Sequence, residues 1–266
     1  MTDPLSYRQN VDALSAPDLQ LFRAGIAKAM TIADNRGYQF FAGEHGIPQF
    51  RCQHGTLLFL PWHRAYLYTL ELTFRDLTPG FTLAYWDWSS DQSHSDGISP
   101  AFNDESGADG NANPLLSGAA DISRSMIERL QQNPQTADVF DFSTAPPRTR
   151  RRPDAPDALP AADQVQATIA ESSTFSDFSR RVEDLHNSVH GWVGGAMGVV
   201  PTAAFDPIFW AHHTMIDRLW YLWQLAHPGA GVPASIQNAA LDGFTLTVAE
   251  TLDIHNLGYE YALKAG

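Results

Sequence analysis

The sequence predicts a mainly α-helical fold, an antiparallel helical bundle with long loops and few short strands. Four segments carry apolar residues at intervals of three and four, which is the spacing of one helix face. These segments begin near Ser, Asp or Pro and end near Gly or Pro, as helices commonly do. We find no internal repeat and no second core pattern, so the 266 residues are expected to form one domain, 1–266.

The first helix is predicted from SAPD at residues 15–18, where serine can cap the helix and proline fits its first turn. It ends at NRG, before a short aromatic piece, residues 38–41, that leads to His45. The second helix begins at Pro61, runs through RAYLYTLELTFRDL and is closed by PG at residues 79–80.

The third helix is predicted within residues 175–195 and ends at two glycines. Its apolar side is formed by Phe178, Val182, Leu185, Val189 and Trp192. DP at residues 206–207 starts the fourth helix, DPIFWAHHTMIDRLWYLWQLAH. Residues 89–173 are rich in Ser, Asp, Asn, Gly and Pro and predict a long loop with one short helix, ISRSMIERLQQ. The segment 81–89 and the tail are the candidates for short extended pieces.

The charge of −13 argues against nucleic acid or an anionic membrane surface as a partner. The run RTRRRP at residues 148–153 is expected to be a solvated loop or a local salt-bridge cluster. The single cysteine excludes an internal disulfide. We see no export signal and no apolar run of membrane length, so the default expectation is a cytoplasmic protein. Export together with a partner chain would leave no mark on this sequence.

Seven of the ten histidines fall in two groups that flank aromatic or apolar segments, so their side chains are expected to point inward. The first group has steps of nine residues and the second lies in the last two helices: His45, His54 and His63, then His186, His190, His212 and His213. A lone histidine is usually a hydrogen-bonded core or surface residue. His186 and His190 are four apart and share one helix face with Glu183, as paired metal ligands on a helix do.

Two groups of three imidazoles predict two all-nitrogen metal sites. Imidazole suits copper, zinc, iron and nickel, so the ligand type alone leaves the metal open. The sequence lacks the HExxH motif of zinc proteases. Di-iron sites and hydrolytic di-zinc sites use carboxylate ligands, and the two groups contain no bridging carboxylate. Copper is therefore the best remaining choice. Asp217, four residues after His213, is expected to orient a ligand or to pair with Arg218.

The segments HGTLLFLPWHRAYLYTLE and HNSVHGWVGGAMG…TAAFDPIFWAHHTMIDRLW resemble the two copper-binding signatures of type-3 copper proteins, the tyrosinases, catechol oxidases and hemocyanins. LAYWDWS, SYRQNV and LGYEY are similar to their surroundings in that family, and the resemblance covers residues 5–90 and 159–261. It implies a helical bundle that holds a dinuclear copper site. It also implies a tyrosinase-like catalytic domain without a C-terminal lid domain, in which O2 is the co-substrate.

The resemblance implies ligands for each copper ion. The first would be held by His45, His54 and His63, and the second by His186, His190 and His213, the second residue of the adjacent pair. Cys52 is by default a small buried hydrophobe. In fungal and molluscan members, however, a cysteine two residues before the second histidine of the first site forms a thioether to that imidazole. Cys52 and His54 reproduce this spacing.

The activity that the resemblance implies is ortho-hydroxylation of monophenols and oxidation of o-diphenols to o-quinones, on small phenolic substrates. Glu183 and Asn187 match the pair that holds a water for the substrate proton. The alternative is that Glu183 pairs with Arg180 on the helix surface and that Asn187 lies near a helix cap. Val200 lies where some plant catechol oxidases carry a blocking phenylalanine, which predicts an open entrance. Phe209 is placed to stack on a phenol ring or to pack in the core.

Three alternatives stay open. The chain could be a catechol or o-aminophenol oxidase without monophenol hydroxylation, or an O2 carrier like hemocyanin. It could also be a hydrolase or binding protein that uses zinc at the same histidines. A separate helper protein that loads copper is a further expected partner.

Overall fold

The structure, a computed structural model, describes residues 5–107 and 109–262. It consists mainly of α-helices, which confirms the predicted fold class. In these residues the α-helices are α1 (Ala16–Met30), α2 (Tyr38–His45), α3 (Phe59–Leu77), α4 (Asp91–Asp96), α5 (Pro100–Asn103), α6 (Arg124–Gln132), α7 (Ala162–Glu171), α8 (Phe175–Val193), α9 (Val200–Ala203) and α10 (Ile208–Ala226). The strands are β1 (Ser6–Arg8), β2 (Phe140–Asp141), β3 (Arg148–Thr149) and β4 (Tyr259–Tyr261).

Helix α10 is the centre of the bundle and packs against α3, α7 and α8, while α1 packs against α2 and α3. The predicted apolar side of α8 is confirmed, because four of its five residues are buried and Leu185 is half-buried. Six tryptophans fill the fully buried space around these helices: Trp62, Trp86, Trp88, Trp210, Trp220 and Trp223. In the described part of the chain, none of the helices is long and apolar enough to cross a membrane.

Side chains accept backbone N–H groups at the starts of α1 and α10. Ser15 Oγ accepts the backbone N–H of Asp18 at the start of α1. Asp206 Oδ1 accepts the N–H of Ile208 at the start of α10, and the same buried carboxylate forms an ion pair with Arg151 at 2.6 Å. The arginine run is therefore a salt-bridge cluster, and Arg151 ties the long loop to α10.

Two short parallel strands join the ends of the described chain. Residues 6–8 of β1 pair with residues 259–261 of β4, which places Arg8 beside α3 and α10. Arg8 forms a buried ion pair with Glu71 of α3 and a second one, at 3.1 Å, with Asp217 of α10. Asp217 also accepts from Arg64 Nε at 2.5 Å, so its cationic partners are Arg8 and Arg64 and not Arg218.

In the described residues, five α-helices were not predicted from the sequence: α2, α4, α5, α7 and α9. The expectation of one short helix in residues 89–173 is therefore wrong, because α4, α5 and α7 lie there beside α6. The aromatic piece 38–41 is the first half of α2, which continues to His45. Helix α7 lies in the segment assigned to a loop, and it packs against α8 and α10. Its sequence, ADQVQATIAE, is mostly polar or small, with Val165 buried. Apolar periodicity alone therefore did not identify α7 as a helix, because its stability comes mainly from packing against the other helices.

Candidate metal centre

The six predicted ligands come together from five places in the fold. His45 is the last residue of α2, and His63 lies in the first turns of α3. Helix α8 supplies the i, i+4 pair, and α10 supplies His213. His54 is the exception, because it lies on the loop between α2 and α3.

The second group has the geometry of a metal site. His186 Nε2 and His190 Nε2 each lie 3.2 Å from His213 Nε2. Nitrogens that bind one metal tetrahedrally at about 2.0–2.1 Å lie about 3.3 Å from each other. The three Nε2 atoms therefore converge at the separation that a shared metal ion requires.

Backbone and amide oxygens fix the tautomers of three rings. His63 Nδ1 donates to the Phe59 carbonyl at 2.8 Å, and His190 Nδ1 donates to the Met197 carbonyl at 2.8 Å. His186 Nδ1 lies 3.0 Å from Asn187 Oδ1, which can only accept. A neutral imidazole that donates from Nδ1 carries its lone pair on Nε2, the atom available to a metal.

Hydrogen bonding within the protein does not explain the convergence of the second group. With lone pairs on the Nε2 atoms of His186 and His190, His213 can donate a proton to only one of them. Among the described residues, the buried His63 Nε2 and both ring nitrogens of His45 find no hydrogen-bond partner. Buried polar atoms are costly unless they have a partner. These nitrogens therefore fit metal ions, and an all-imidazole set suits copper.

The first group is looser, yet contiguous with the second. The ring centroids of His45, His54 and His63 lie 5.3 to 5.6 Å from one another. His63 stacks on His213 with 4.6 Å between centroids, and His54 stacks on His186 at 5.6 Å. The two groups therefore form one cluster of six rings.

Burial keeps these imidazoles neutral, as metal binding requires. Loss of hydration lowers the pKa of His54 and of His190 to about 4. Burial, followed by the neighbouring histidines, lowers the pKa of His45, His186 and His213 well below the usual value. At neutral pH the rings therefore need no deprotonation before they bind a metal.

His212 belongs to the same cluster although it was not assigned as a ligand. It is fully buried, and its ring stacks on His186 with 5.2 Å between centroids. Neither of its ring nitrogens has a hydrogen-bond partner in the part of the chain that the structure describes. Only His213 places its Nε2 at 3.2 Å from both other histidines of the second group. The close contacts therefore favour His213, as the resemblance implies.

A cavity of about 230 Å³ opens onto the cluster. Its wall contains histidine rings from both groups together with Asn187 and Val200, which were also predicted as site residues. The lining residues are His45, His54, His186, Asn187, His190, Gly191, Met197, Gly198, Val200 and Ala203. Val200 is 46% exposed, which places it at the rim. Gly191, Gly198 and Ala203, which line this cavity, were not singled out from the sequence, because a small residue in a helix or a turn does not by itself indicate a cavity.

Glu183 lies on a different cavity from Asn187. It lines a space of about 220 Å³ with residues of the 55–57 loop and α8, and its Oε1 accepts the Gly55 N–H at 2.6 Å. Burial raises the pKa of its carboxyl group, while the Gly55 hydrogen bond acts in the opposite direction. Arg180 pairs with Asp177 and Asp184, so the surface pairing of Glu183 with Arg180 is not formed.

Phe209 is in the core. It is 0% exposed, lies 4.0 Å from the His213 ring and 4.7 Å from the His45 ring, and is not part of the cavity wall. Its full burial agrees with the packing alternative, and stacking on a phenol stays a prediction. Its packing role is the one observed, because it supports a ligand ring from each group.

Cys52 lies where the resemblance places it. Its Sγ and one ring nitrogen each of His45 and His54 are all within 4.8 Å of one another. The thiol is half-buried, and burial raises its pKa to about 11. Such a thiol carries little thiolate at neutral pH, so Cys52 is not activated as a free nucleophile.

Comparison with known proteins agrees with this geometry. Among curated proteins, the chain is 28% identical over 263 residues to the tyrosinase of Streptomyces glaucescens, covering 87% of each chain. It is 26% identical over 287 residues to the A-type hemocyanin of Enteroctopus dofleini, covering 96% of this chain but only 21% of that protein. The chain thus spans about a fifth of this hemocyanin's length.

Solved structures show the same fold. A functional unit of octopus hemocyanin superimposes with a TM-score of 0.78 at 25% identity, covering 96% of this chain and 67% of the other. Recombinant mushroom tyrosinase gives a TM-score of 0.78 at 20% identity, covering 98% and 63%. The family model described as the common central domain of tyrosinase matches residues 35–226, more than half of the chain and both histidine groups. The chain therefore belongs to the tyrosinase family of type-3 copper proteins.

Proposed function

We propose that this protein is a dicopper oxidase that uses O2 to hydroxylate monophenols at the ortho position and to oxidise o-diphenols to o-quinones. The observation that carries the proposal is the cavity of about 230 Å³ lined by rings of both histidine groups. In another protein, an apolar cavity of about 150 Å³ takes up benzene. A phenol ring therefore has room beside the ligands. Bound copper would supply the redox chemistry with O2.

The chain's own residues would hold and orient the reactants. His45, His54 and His63 would bind one copper ion, and the second group the other. Asn187 faces the cavity and holds the His186 ring through Nδ1, which directs Nε2 to the metal position.

We propose that a water held by Glu183 and Asn187 takes the proton of the phenol. The two side chains line different cavities, so this water would have to lie between them. The two residues are four apart on α8 and therefore lie on one helix face. Burial raises the pKa of the Glu183 carboxyl group, which makes its carboxylate a stronger proton acceptor than that of an exposed glutamate. Val200, exposed at the rim, leaves the entrance open for an aromatic ring.

The test is metal analysis followed by O2 uptake. Protein loaded with Cu(I) should hold about two copper ions per chain and consume O2 with a monophenol, releasing o-quinone. His190→Ala should lose this activity because it removes one converging Nε2, whereas His255→Ala, an exposed histidine outside the cluster, should retain it. Turnover of catechol alone would reduce the function to a catechol or o-aminophenol oxidase. Zinc in place of copper would refute the proposal.

A second candidate is O2 carriage, favoured by the similarity to a functional unit of octopus hemocyanin. Reversible O2 binding without product from any phenol would support it. The open rim at Val200 favours the enzyme, because a carrier needs no access for a substrate ring.

A further inference from the structure

His54 is the one predicted ligand without a helix to hold it. The other five lie on α2, α3, α8 and α10, whose backbone hydrogen bonds fix the Cα positions. The loop residue that follows His54 is Gly55, which has a positive φ of 65° and space for a Cβ around it. An unsupported loop would let the His54 imidazole move relative to the second group, so another contact must position it.

The contact that reaches this loop comes from α8. Glu183 Oε1 accepts the Gly55 N–H at 2.6 Å, across 128 residues of sequence. Gly55 is bonded directly to His54, and Glu183 lies one turn before His186. His54 and His186, assigned to different copper ions, are also stacked 5.6 Å apart. A single hydrogen bond thus joins the backbone of one group to the helix of the other.

Other charged groups do not account for the placement of this carboxylate. Glu183 is 8% exposed, and in the described residues it forms no ion pair within 4.0 Å. Its neighbour Arg180 is directed to the half-buried Asp177 and the exposed Asp184 of α8. Burying a carboxylate is costly unless it accepts hydrogen bonds, and a hydrogen bond to a charged acceptor is stronger than a neutral one.

We propose that Glu183 is a positioning residue, whose carboxylate holds the Gly55 N–H and thereby fixes the His54 ring against His186. The inference rests on the proposed function in one respect, the assignment of these two histidines to separate copper ions. It assigns Glu183 a task that precedes any reaction with a phenol. We call the hydrogen bond from the Gly55 N–H to Glu183 the tether. The tether strengthens the copper affinity of the first group, whether or not Glu183 also accepts a proton.

Two substitutions separate the tether from proton transfer. Glu183→Gln retains an oxygen that accepts the Gly55 N–H but cannot act as a proton acceptor. Glu183→Met has a similar length and lacks an acceptor oxygen. Asp184→Asn is the matched control, because Asp184 is the next residue on α8, is exposed and forms only a 3.5 Å contact with Arg180.

Copper binding is measured by competition with a coloured Cu(I) chelator, after circular dichroism has shown that each copper-free variant is folded. Loss of a group that supports a ligand typically weakens metal binding by about 10- to 100-fold. We expect Glu183→Met to weaken one of the two copper equivalents by this factor. Glu183→Gln and Asp184→Asn should retain both, even if Glu183→Gln loses activity on monophenols.

The outcomes are distinguishable. If Glu183→Met binds both equivalents as tightly as the unaltered chain, the tether is refuted. If Glu183→Met lowers the affinity for both copper equivalents equally, the contact stabilises the fold in general, and its specific role in positioning His54 is refuted. If the unaltered chain does not bind two copper ions, the proposed function fails first. Should Glu183→Met not fold, equal copper affinities in Glu183→Gln and the unaltered chain would still support the tether, and a weakened equivalent in Glu183→Gln would refute it.

Discussion

Asp217→Asn is predicted to destabilise the copper-free protein strongly, although the residue is not a ligand. Asp217 is 4% exposed and lies on α10, one turn after His213. Its carboxylate accepts from Arg64 Nε at 2.5 Å, from Arg8 Nη1 at 3.1 Å and from two tyrosine hydroxyls, those of Tyr259 and Tyr261. Arg64 and Arg8 lower the pKa of this carboxyl group despite its burial.

The magnitude follows from what the substitution leaves behind. Arg8 retains Glu71 as an anionic partner. The fully buried Arg64 keeps neutral acceptors, namely the oxygens of Gln224 and Thr251 and the backbone carbonyl of residue 217, but loses its anionic partner. Removing one partner of a buried ion pair costs about 3–5 kcal/mol, because the remaining charge stays away from water. For a chain of this size, about 2 °C of Tm per kcal/mol predicts a fall of about 6–10 °C.

The assay is urea-induced unfolding of copper-free protein, because bound metal would add its own stabilisation. Asp184→Asn is the control, since its exposed contact with Arg180 is expected to contribute about 0–1 kcal/mol. A loss below about 1 kcal/mol for Asp217→Asn would mean that water or a rearranged Arg64 compensates the charge. The view of this network as a buried ionic link between α3 and α10 would then be wrong.

Three further predictions follow. If Cys52 forms a thioether to His54, the intact copper-treated protein should be lighter than its sequence by two hydrogen atoms and show no titratable thiol after unfolding; a free thiol would contradict this. Val200→Phe should lower kcat/KM for monophenols by about tenfold, equivalent to about 1.4 kcal/mol, by narrowing the rim, and an unchanged value would place the entrance elsewhere. Copper-free protein should lose stability as the pH falls from about 6.5 towards 4, because the folded pKa values of His54 and His190 are depressed and the unfolded chain binds protons first; thermal unfolding between pH 7.5 and 4.5 that shows no such loss would contradict the burial argument.

Local periodicity predicted the parts of the centre that a single helix builds. His186 and His190 were paired by their i, i+4 spacing, and the structure brings their rings within 4.3 Å of each other. Contacts between distant segments were not predictable in this way. Three features depend on packing between elements: the pairing of Asp217 with Arg64, the position of Phe209 behind two ligand rings, and helix α7. Local sequence patterns do not determine such packing, because they do not give the distances between elements that are far apart in the sequence.

Local contacts and long-range contacts have different roles at the metal centre. Ring orientation is largely local: His63 donates to the carbonyl four residues earlier, and His186 lies against the amide of the next residue, Asn187. Those contacts select the nitrogen that faces the metal. The separation of the two groups is instead set by long-range contacts, namely the stacking of His63 on His213 and the hydrogen bond from Gly55 to α8. A dinuclear site needs both, because correctly oriented rings at the wrong separation would bind two metals that cannot share one substrate.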